Sequence, residues 1–459
     1  MCSLFSKSIR HLSYWYLLIP NYTNQIVSFQ RSLPPFTYTD LGLRNGKNDE
    51  SKEINQIGYL LIMKTAMILP VSKKRLLFTL CPLYLLFYMG DAILSSYYSL
   101  YFINNGLTAH QQSLLLGLIP FFLFLGCLVL SRFARSGKST LWLFRICAII
   151  ETGLTFGYAF CHDFTSLAIL TALLSFFNSA PFAFLESHSA LAIEGSGIRY
   201  GSIRIFGTLG YIVSLFMGYF LLGNLPFEHS YFFAAAFFGI SFFVSFLTKP
   251  NVDEKEEETG EIEAQGLKKR NIVMLLIAMT LINGAGVTAT SILPIRLNAL
   301  GLADADYSLM RSIGVGVEAA FMLVAPFMQP LFKSKKTPFF IAAGCFALSY
   351  ILVMFVYEPF ACGYLNLGIV GIGKAFLFSY ELYLFEDVVG KGGLSRIFTI
   401  HNGLYNLTSS GLNLSSSYIY LSAGFETFFG ILAGIEILGL VFLALIQTGG
   451  NVKEVAPAN

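Results

Sequence analysis

Charge is scarce in this chain. Only 12% of its 459 residues are Asp, Glu, Lys or Arg, against about 25% in an average soluble domain. A chain so poor in charge does not put most of its surface in water. The charges nearly cancel, leaving a net +3, which excludes a broad basic surface for nucleic acid. Cysteine pairs are missing too. Cys2, Cys81, Cys127, Cys147, Cys161, Cys345 and Cys362 are scattered, mostly inside apolar runs, and none forms a Cys-x-x-Cys unit. They read as small core residues, which argues against a disulfide framework or a thiolate metal site. There is no HExxH, no GxSxG, no paired-histidine pattern and no nucleotide-binding loop. His162-Asp163 is a lone pair at a turn. These absences disfavour a membrane-embedded enzyme and ATP-driven transport, and no metal or cofactor is expected.

What is present is apolar length. Hydrophobic residues make up 55% of the chain, with 45 phenylalanines spread through long runs. A helix needs about 20 apolar residues to cross the hydrocarbon of a bilayer. Spans are expected near 76–103, 109–132, 139–160, 164–190, 200–223 and 229–248, then near 271–298, 307–331, 337–357, 360–388, 396–421 and 425–447. The expected fold class is therefore all-α: a polytopic membrane protein of twelve transmembrane helices.

The N-terminal stretch differs. Its apolar patch Tyr14-Trp15-Tyr16-Leu17-Leu18-Ile19-Pro20 is too short to span and lacks a small-residue cleavage site after it. Residues 1–70 read as a poorly ordered extension from an upstream start, with Met63 or Met67 a natural beginning. A cytoplasmic regulatory segment is the alternative.

Lysine and arginine give the orientation. One side holds Lys73, Lys74 and Arg75, then Arg132, Arg135 and Lys138, then Arg199, then Lys249 through Arg270, then Lys333, Lys335 and Lys336, then Lys391 and Arg396. The other side has almost none, Arg296 being the main candidate. Both termini are expected in the cytoplasm and the protein in the cell membrane. The acidic run Asp253-Glu254-Lys255-Glu256-Glu257-Glu258 reads as a solvated linker. It separates a bundle at 71–248 from one at 271–450, with a central loop at 249–270 and a tail at 451–459.

The halves echo each other. Gly106-Leu107 and Ser113-Leu114 recur at the same spacing as Gly301-Leu302 and Ser308-Leu309, and Arg204-Ile205-Phe206 recurs as Arg396-Ile397-Phe398. The pattern fits two pseudo-symmetric six-helix bundles that rock about a midplane site.

The stretch Tyr200-Gly201-Ser202-Ile203-Arg204-Ile205-Phe206-Gly207-Thr208-Leu209-Gly210 opens the fifth span. An arginine at a helix centre costs roughly 2.5–3.5 kcal/mol on insertion scales. Arg204 lies only a few residues inside the span, so its cost is below that value. The stretch resembles the YGxxRxWGSxG signature of a major facilitator superfamily cluster: the oligosaccharide, nucleoside and phenylpropionate proton symporters that include the lactose permease. Ala180-Pro181 in span four is similar to the cluster's pattern, and Gly316-Val317-Glu318-Ala319-Ala320 resembles a span-eight stretch that keeps a sugar-binding glutamate. The resemblance covers roughly residues 71–450. It implies alternating-access transport, with substrate contact at Arg204 and Glu318. The permease's span-ten histidine falls on Lys374 and its nearby carboxylate on Leu377, so its proton relay is not carried over and lactose is disfavoured. The aspartate of the superfamily's second-to-third-span loop falls on Arg132.

Other charges inside spans mark sites by default, with structural pairing as the rival. Asp91, mid-span one, is read as a substrate or proton group, or as a helix–helix hydrogen bond. Glu186 is read as a substrate contact or as a salt-bridge partner of Arg204. Arg311 shares a face with Glu318, and Lys374 shares one with Glu381. The expected substrate set is Arg204, Glu318, Lys374, Asp91 and Glu186, and the expected proton set is Glu318, Glu381 and Asp91. Arg145, Glu151 and Glu436 are assigned to scaffold pairing or snorkelling. The functional expectation is proton symport of a small polar solute (a sugar, nucleoside or organic acid) by a monomer in the lipid bilayer, with no nucleic acid partner. A proton-antiport exporter of lipophilic compounds is the alternative.

Overall fold

The computed structural model describes residues 71–133, 137–193, 196, 198, 201–248, 266–332, 334–389 and 394–446. The N-terminal extension, most of the central loop and the tail lie outside the described residues. The described elements are helical: α1 (Val71–Asn104), α2 (Ala109–Leu130), α3 (Gly137–Tyr158), α4 (Phe164–Asn178), α5 (Pro181–Ile193), α6 (Gly201–Asn224) and α7 (Glu228–Ser245). The second half holds α8 (Gly266–Ala299), α9 (Asp304–Met328), α10 (Thr337–Phe355), α11 (Pro359–Val389) and α12 (Leu394–Leu445).

Ten of the described helical stretches are long and apolar enough to cross a membrane. One of them, α12, is two helices joined at Gly424, whose φ of 84° is left-handed. The shorter α7, at 18 residues, is not among the ten. The fourth pass is broken. Pro181 lacks an amide hydrogen and cannot continue α4, so the chain stops at Asn178 and restarts as α5. α8 begins at Gly266, inside the stretch assigned to the central loop. Lys268, Lys269 and Arg270 are good helix formers, so the helix runs past its apolar part.

The sequence repeat is a repeated turn. Gly106 (φ 67°) ends α1 and Gly301 (φ 92°) ends α8. At the first, Gly106 N–H bonds Ile103 O at 2.9 Å and Leu107 N–H bonds Phe102 O at 3.2 Å. At the second, Gly301 N–H bonds Asn298 O at 2.9 Å and Leu302 N–H bonds Leu297 O at 3.0 Å. Both are Schellman closures, which need a left-handed residue followed by a hydrophobic one. Thr108 then starts α2 with a capping box: its N–H meets Gln111 Oε1 at 2.9 Å and its hydroxyl accepts from Gln111 N at 3.4 Å.

Within the first half, α1 packs on α6 and α7, α2 on α4, and α3 on α5 and α7. In the second, α8 packs on α12, α9 on α11, and α10 on α11 and α12. The two most extensive seams between the halves are α2 against α12 and α6 against α9, with a smaller contact of α1 on α8. Their hydrogen bonds lie toward the end that carries the two glycine turns. Ser113 Oγ and Ser416 Oγ are 2.8 Å apart, and Ser410 donates to Gly117 O at 2.8 Å. Across the other seam Ser308 donates to Leu215 O at 2.6 Å and Ser312 to Ile212 O at 3.0 Å. Small residues let the backbones approach, as is usual between membrane helices. A Cβ on Gly117 would lie 2.5 Å from Leu414 Cγ, and one on Gly218 would lie 1.8 Å from Tyr97 Oη.

Candidate functional site

Arg204 sits in the first turn of α6 and meets two partners. It forms an ion pair with Glu186 on α5 and donates to the Tyr88 hydroxyl on α1. Tyr88 in turn donates to Glu186 Oε1 at 3.4 Å, and the guanidinium carbon lies 5.1 Å from the centre of the Tyr88 ring. The glycines of the motif make this possible. A Cβ at 207 would come within 3.0 Å of the Tyr88 ring, and one at 210 within 2.3 Å of Leu85 O. Only bare backbone lets α6 press onto α1 there. The Arg204 and Glu186 side chains are 42% and 39% exposed. Where that exposed face meets water, such a pair adds little to stability, at most about 1 kcal/mol. Its donors remain free to turn to a solute.

A cavity of about 260 Å³ lies between the halves. Polar groups from several helices converge on it, among them Asp91, Ser95 and Asn178 from the first half and Asn283, Thr290 and Lys374 from the second. Arg204, Glu186 and Glu318 are not among the described residues that line it. Lys374 instead joins the cavity to Glu318: it interacts electrostatically with Glu318 and Arg311 on α9. Gly371 brings α11 and α9 together at this point, since a Cβ there would meet Gly314 O at 2.6 Å and Glu318 N at 3.1 Å. Arg311 reaches on to Tyr211 of α6, whose hydroxyl is 3.0 Å from Ser95 Oγ and 3.2 Å from Ser96 Oγ. A polar chain thus runs from α9 across α6 to the cavity wall on α1.

Glu381 does not meet Lys374 despite their shared face. It pairs with His401 of α12, with Nε2 3.0 Å from Oε1. Asn283 Nδ2 donates to the same oxygen at 3.3 Å and itself lines the cavity. His401 is buried. It was missed in the sequence because no motif contains it, although an ionisable residue inside an apolar span is itself a signal. Asp91 accepts from Asn178 at 3.4 Å, and Asn178 stands where α4 breaks.

The scaffold charges separate into kinds. Arg145 donates to Ser245 Oγ at 3.2 Å and Ser245 O at 2.8 Å, with its guanidinium 4.3 Å from the Phe246 ring centre. Glu436 accepts from Tyr350 at 3.2 Å. Arg296 pairs with Glu426 at 3.0 Å. Glu151 is buried with no hydrogen bond of ordinary geometry to either oxygen among the described residues.

The MFS_1-like family model matches residues 77–436. This chain belongs to that family. Its fold is that of solved major facilitator transporters. The nucleoside transporter NupG superposes with a TM-score of 0.66 at 16% identity, covering 80% of this chain and 98% of that one. A point mutant of the same transporter gives 0.69 at 17% identity, covering 81% and 100%. An auto-inhibited peptide transporter of the POT family gives 0.63 at 10% identity, covering 84% and 99%. No curated protein matches the chain by sequence. This MFS_1-like chain is therefore a multi-pass membrane transporter, and its likeness to the solved structures is one of fold.

Proposed function

We propose that this MFS_1-like transporter imports a small polar solute with protons across the cytoplasmic membrane, its termini in the cytoplasm and its two six-helix bundles, 71–248 and 271–450, rocking about the cavity. The carrying observation is the exposed Arg204–Glu186–Tyr88 cluster on one half, set near a cavity that receives Lys374 from the other. Basic residues recur in the sequence at the pass ends on the side where α6 begins, and the positive-inside rule supports a cytoplasmic assignment for that side. The hydrogen-bonded seams lie at the opposite end, which supports reading this as an inward-facing arrangement closed to the outside.

Arg204 and Glu186 offer both a planar donor and an acceptor. That combination suits hydroxyl-rich or heterocyclic solutes, which present both kinds of group. The solved relatives' titles name nucleoside and peptide transporters, and a nucleoside or sugar fits the cluster better than a lipophilic compound. Lys374 with Glu318, and Glu381 with His401, supply groups that exchange protons as the halves rock. The test is uptake into proteoliposomes under an imposed inward proton gradient, across nucleosides, sugars, dipeptides and aromatic acids. Gradient-driven accumulation of one class supports the reading. Export of lipophilic dyes with no polar uptake supports the antiporter instead.

A further inference from the structure

Glu151 is the buried acid left without an evident role. It is 0% exposed, and neither oxygen makes a hydrogen bond of ordinary geometry among the described residues. It stands on α3 and interacts electrostatically with Asp91 of α1. Tyr98 lies beside both carboxyls, and the Asn178 amide acts on each. No described arginine, lysine or histidine acts on either acid. The cations nearby have other partners: Arg145 is held by Ser245 and Thr248, His188 faces Arg145, Arg204 pairs with Glu186, and Lys374 turns to Glu318. The remaining titratable groups around the acids are Tyr98, the thiol of Cys147 and Tyr88, which acts on Asp91 and also holds Arg204, with Tyr231 of α7 against Tyr98.

Placing one unpaired carboxylate in such a site costs several kcal/mol, and a second beside it adds repulsion. The pair therefore carries at most one negative charge. A further observation lies on the cavity wall. Ser175 is 2% exposed, lines the same cavity as Asp91 and Asn178, and its hydroxyl has no partner among the described residues. Thr155, one turn after Glu151 on the same face, is likewise buried and unpartnered among them. Hydroxyls of this kind can donate to and accept from a mobile proton.

We propose that Asp91 and Glu151 form a carboxyl dyad holding one exchangeable proton, loaded at Asp91 from the cavity. Asp91 is the acid that water reaches, and Glu151 is the dry partner that keeps the proton within the first half. The inference rests on the proton-coupled reading above and adds Glu151 to it.

Infrared spectra of the purified full chain test the dyad without any substrate. In potassium buffer at neutral pH, D91N/E151Q is expected to lose one carboxylic-acid C=O group relative to wild type, and the loss is the same in sodium buffer. Loss of none, or of two, overturns the shared proton, as does a band in wild type that sodium abolishes. Transport gives a second readout. E151Q is expected to keep solute counterflow, which moves no net proton, while gradient-driven accumulation falls at least tenfold. Glu151→Asp is expected to restore it. Equal loss of counterflow and accumulation in a folded E151Q marks a structural role and overturns the proposal. If wild type shows counterflow but no proton-driven accumulation, the coupled reading fails while the infrared result still decides the dyad.

Discussion

Ser113 and Ser308 occupy the same place in the two halves. Each follows a left-handed glycine by the same spacing, each is buried, and each ties one half to the other. Ser113 meets Ser416 on α12, and Ser308 meets Leu215 O and the Tyr97 hydroxyl in the first half. One turn motif, used twice, thus delivers one latch to each seam. A net hydrogen bond contributes about 0.5–1.5 kcal/mol. A few of them match the few kcal/mol that separate states of a two-state protein.

Gly218 guards one latch. A Cβ there would fall 1.8 Å from Tyr97 Oη and 2.6 Å from Ser308 Oγ. Gly218→Val is therefore expected to open this seam and favour the outward-facing state. A spin-label pair across α6 and α9 at this end should read a longer distance. An unchanged distance in the folded variant means the seam does not set the closed state.

Arg204→Ala should cost the fold less than about 1 kcal/mol, because the ion pair is open to water. It should nevertheless abolish solute binding. Glu186→Gln keeps the shape and is expected to weaken binding by an intermediate amount, read by calorimetry once a ligand is known. A fold that collapses on Arg204→Ala assigns the cluster to structure.

Arg145→Leu should behave in the opposite way. It removes buried hydrogen bonds from a charged donor, each contributing about 1.5–3 kcal/mol. Thermal stability should fall while the solute affinity of the surviving protein stays the same. A changed affinity would place Arg145 in the site.

His401→Ala leaves Glu381 with Asn283 as its remaining hydrogen-bond donor among those described. The variant is expected to lose proton-driven accumulation while solute counterflow persists. Equal loss of both assigns the pair to packing.

Much of the fold was legible because membrane helices announce themselves by length and charge sidedness. The Gly-Leu-Ser repeat was legible because a left-handed turn needs glycine and its closure needs a hydrophobe. Arg204 and Glu186 were readable as partners, since a short connection joins their helices. Tyr88 was not, because its contact depends on how closely Gly207 and Gly210 let α6 approach α1. His401 and Asn283 were hidden for a similar reason: their meeting with Glu381 joins three helices far apart in sequence. Lys374 and Glu381 share a face of α11, yet a face is wide enough for two neighbours. Gly371 draws one residue toward α9, and α12 takes the other.

The most direct measurement of the central claim is a thermal-shift screen of the purified full chain against nucleosides, sugars, dipeptides and aromatic acids, repeated with Arg204→Ala. A ligand at a hundredfold excess over its Kd stabilises the protein that binds it by about 2.7 kcal/mol. The account predicts that one polar class stabilises the wild type and leaves Arg204→Ala unmoved. An equal shift in both proteins would contradict it.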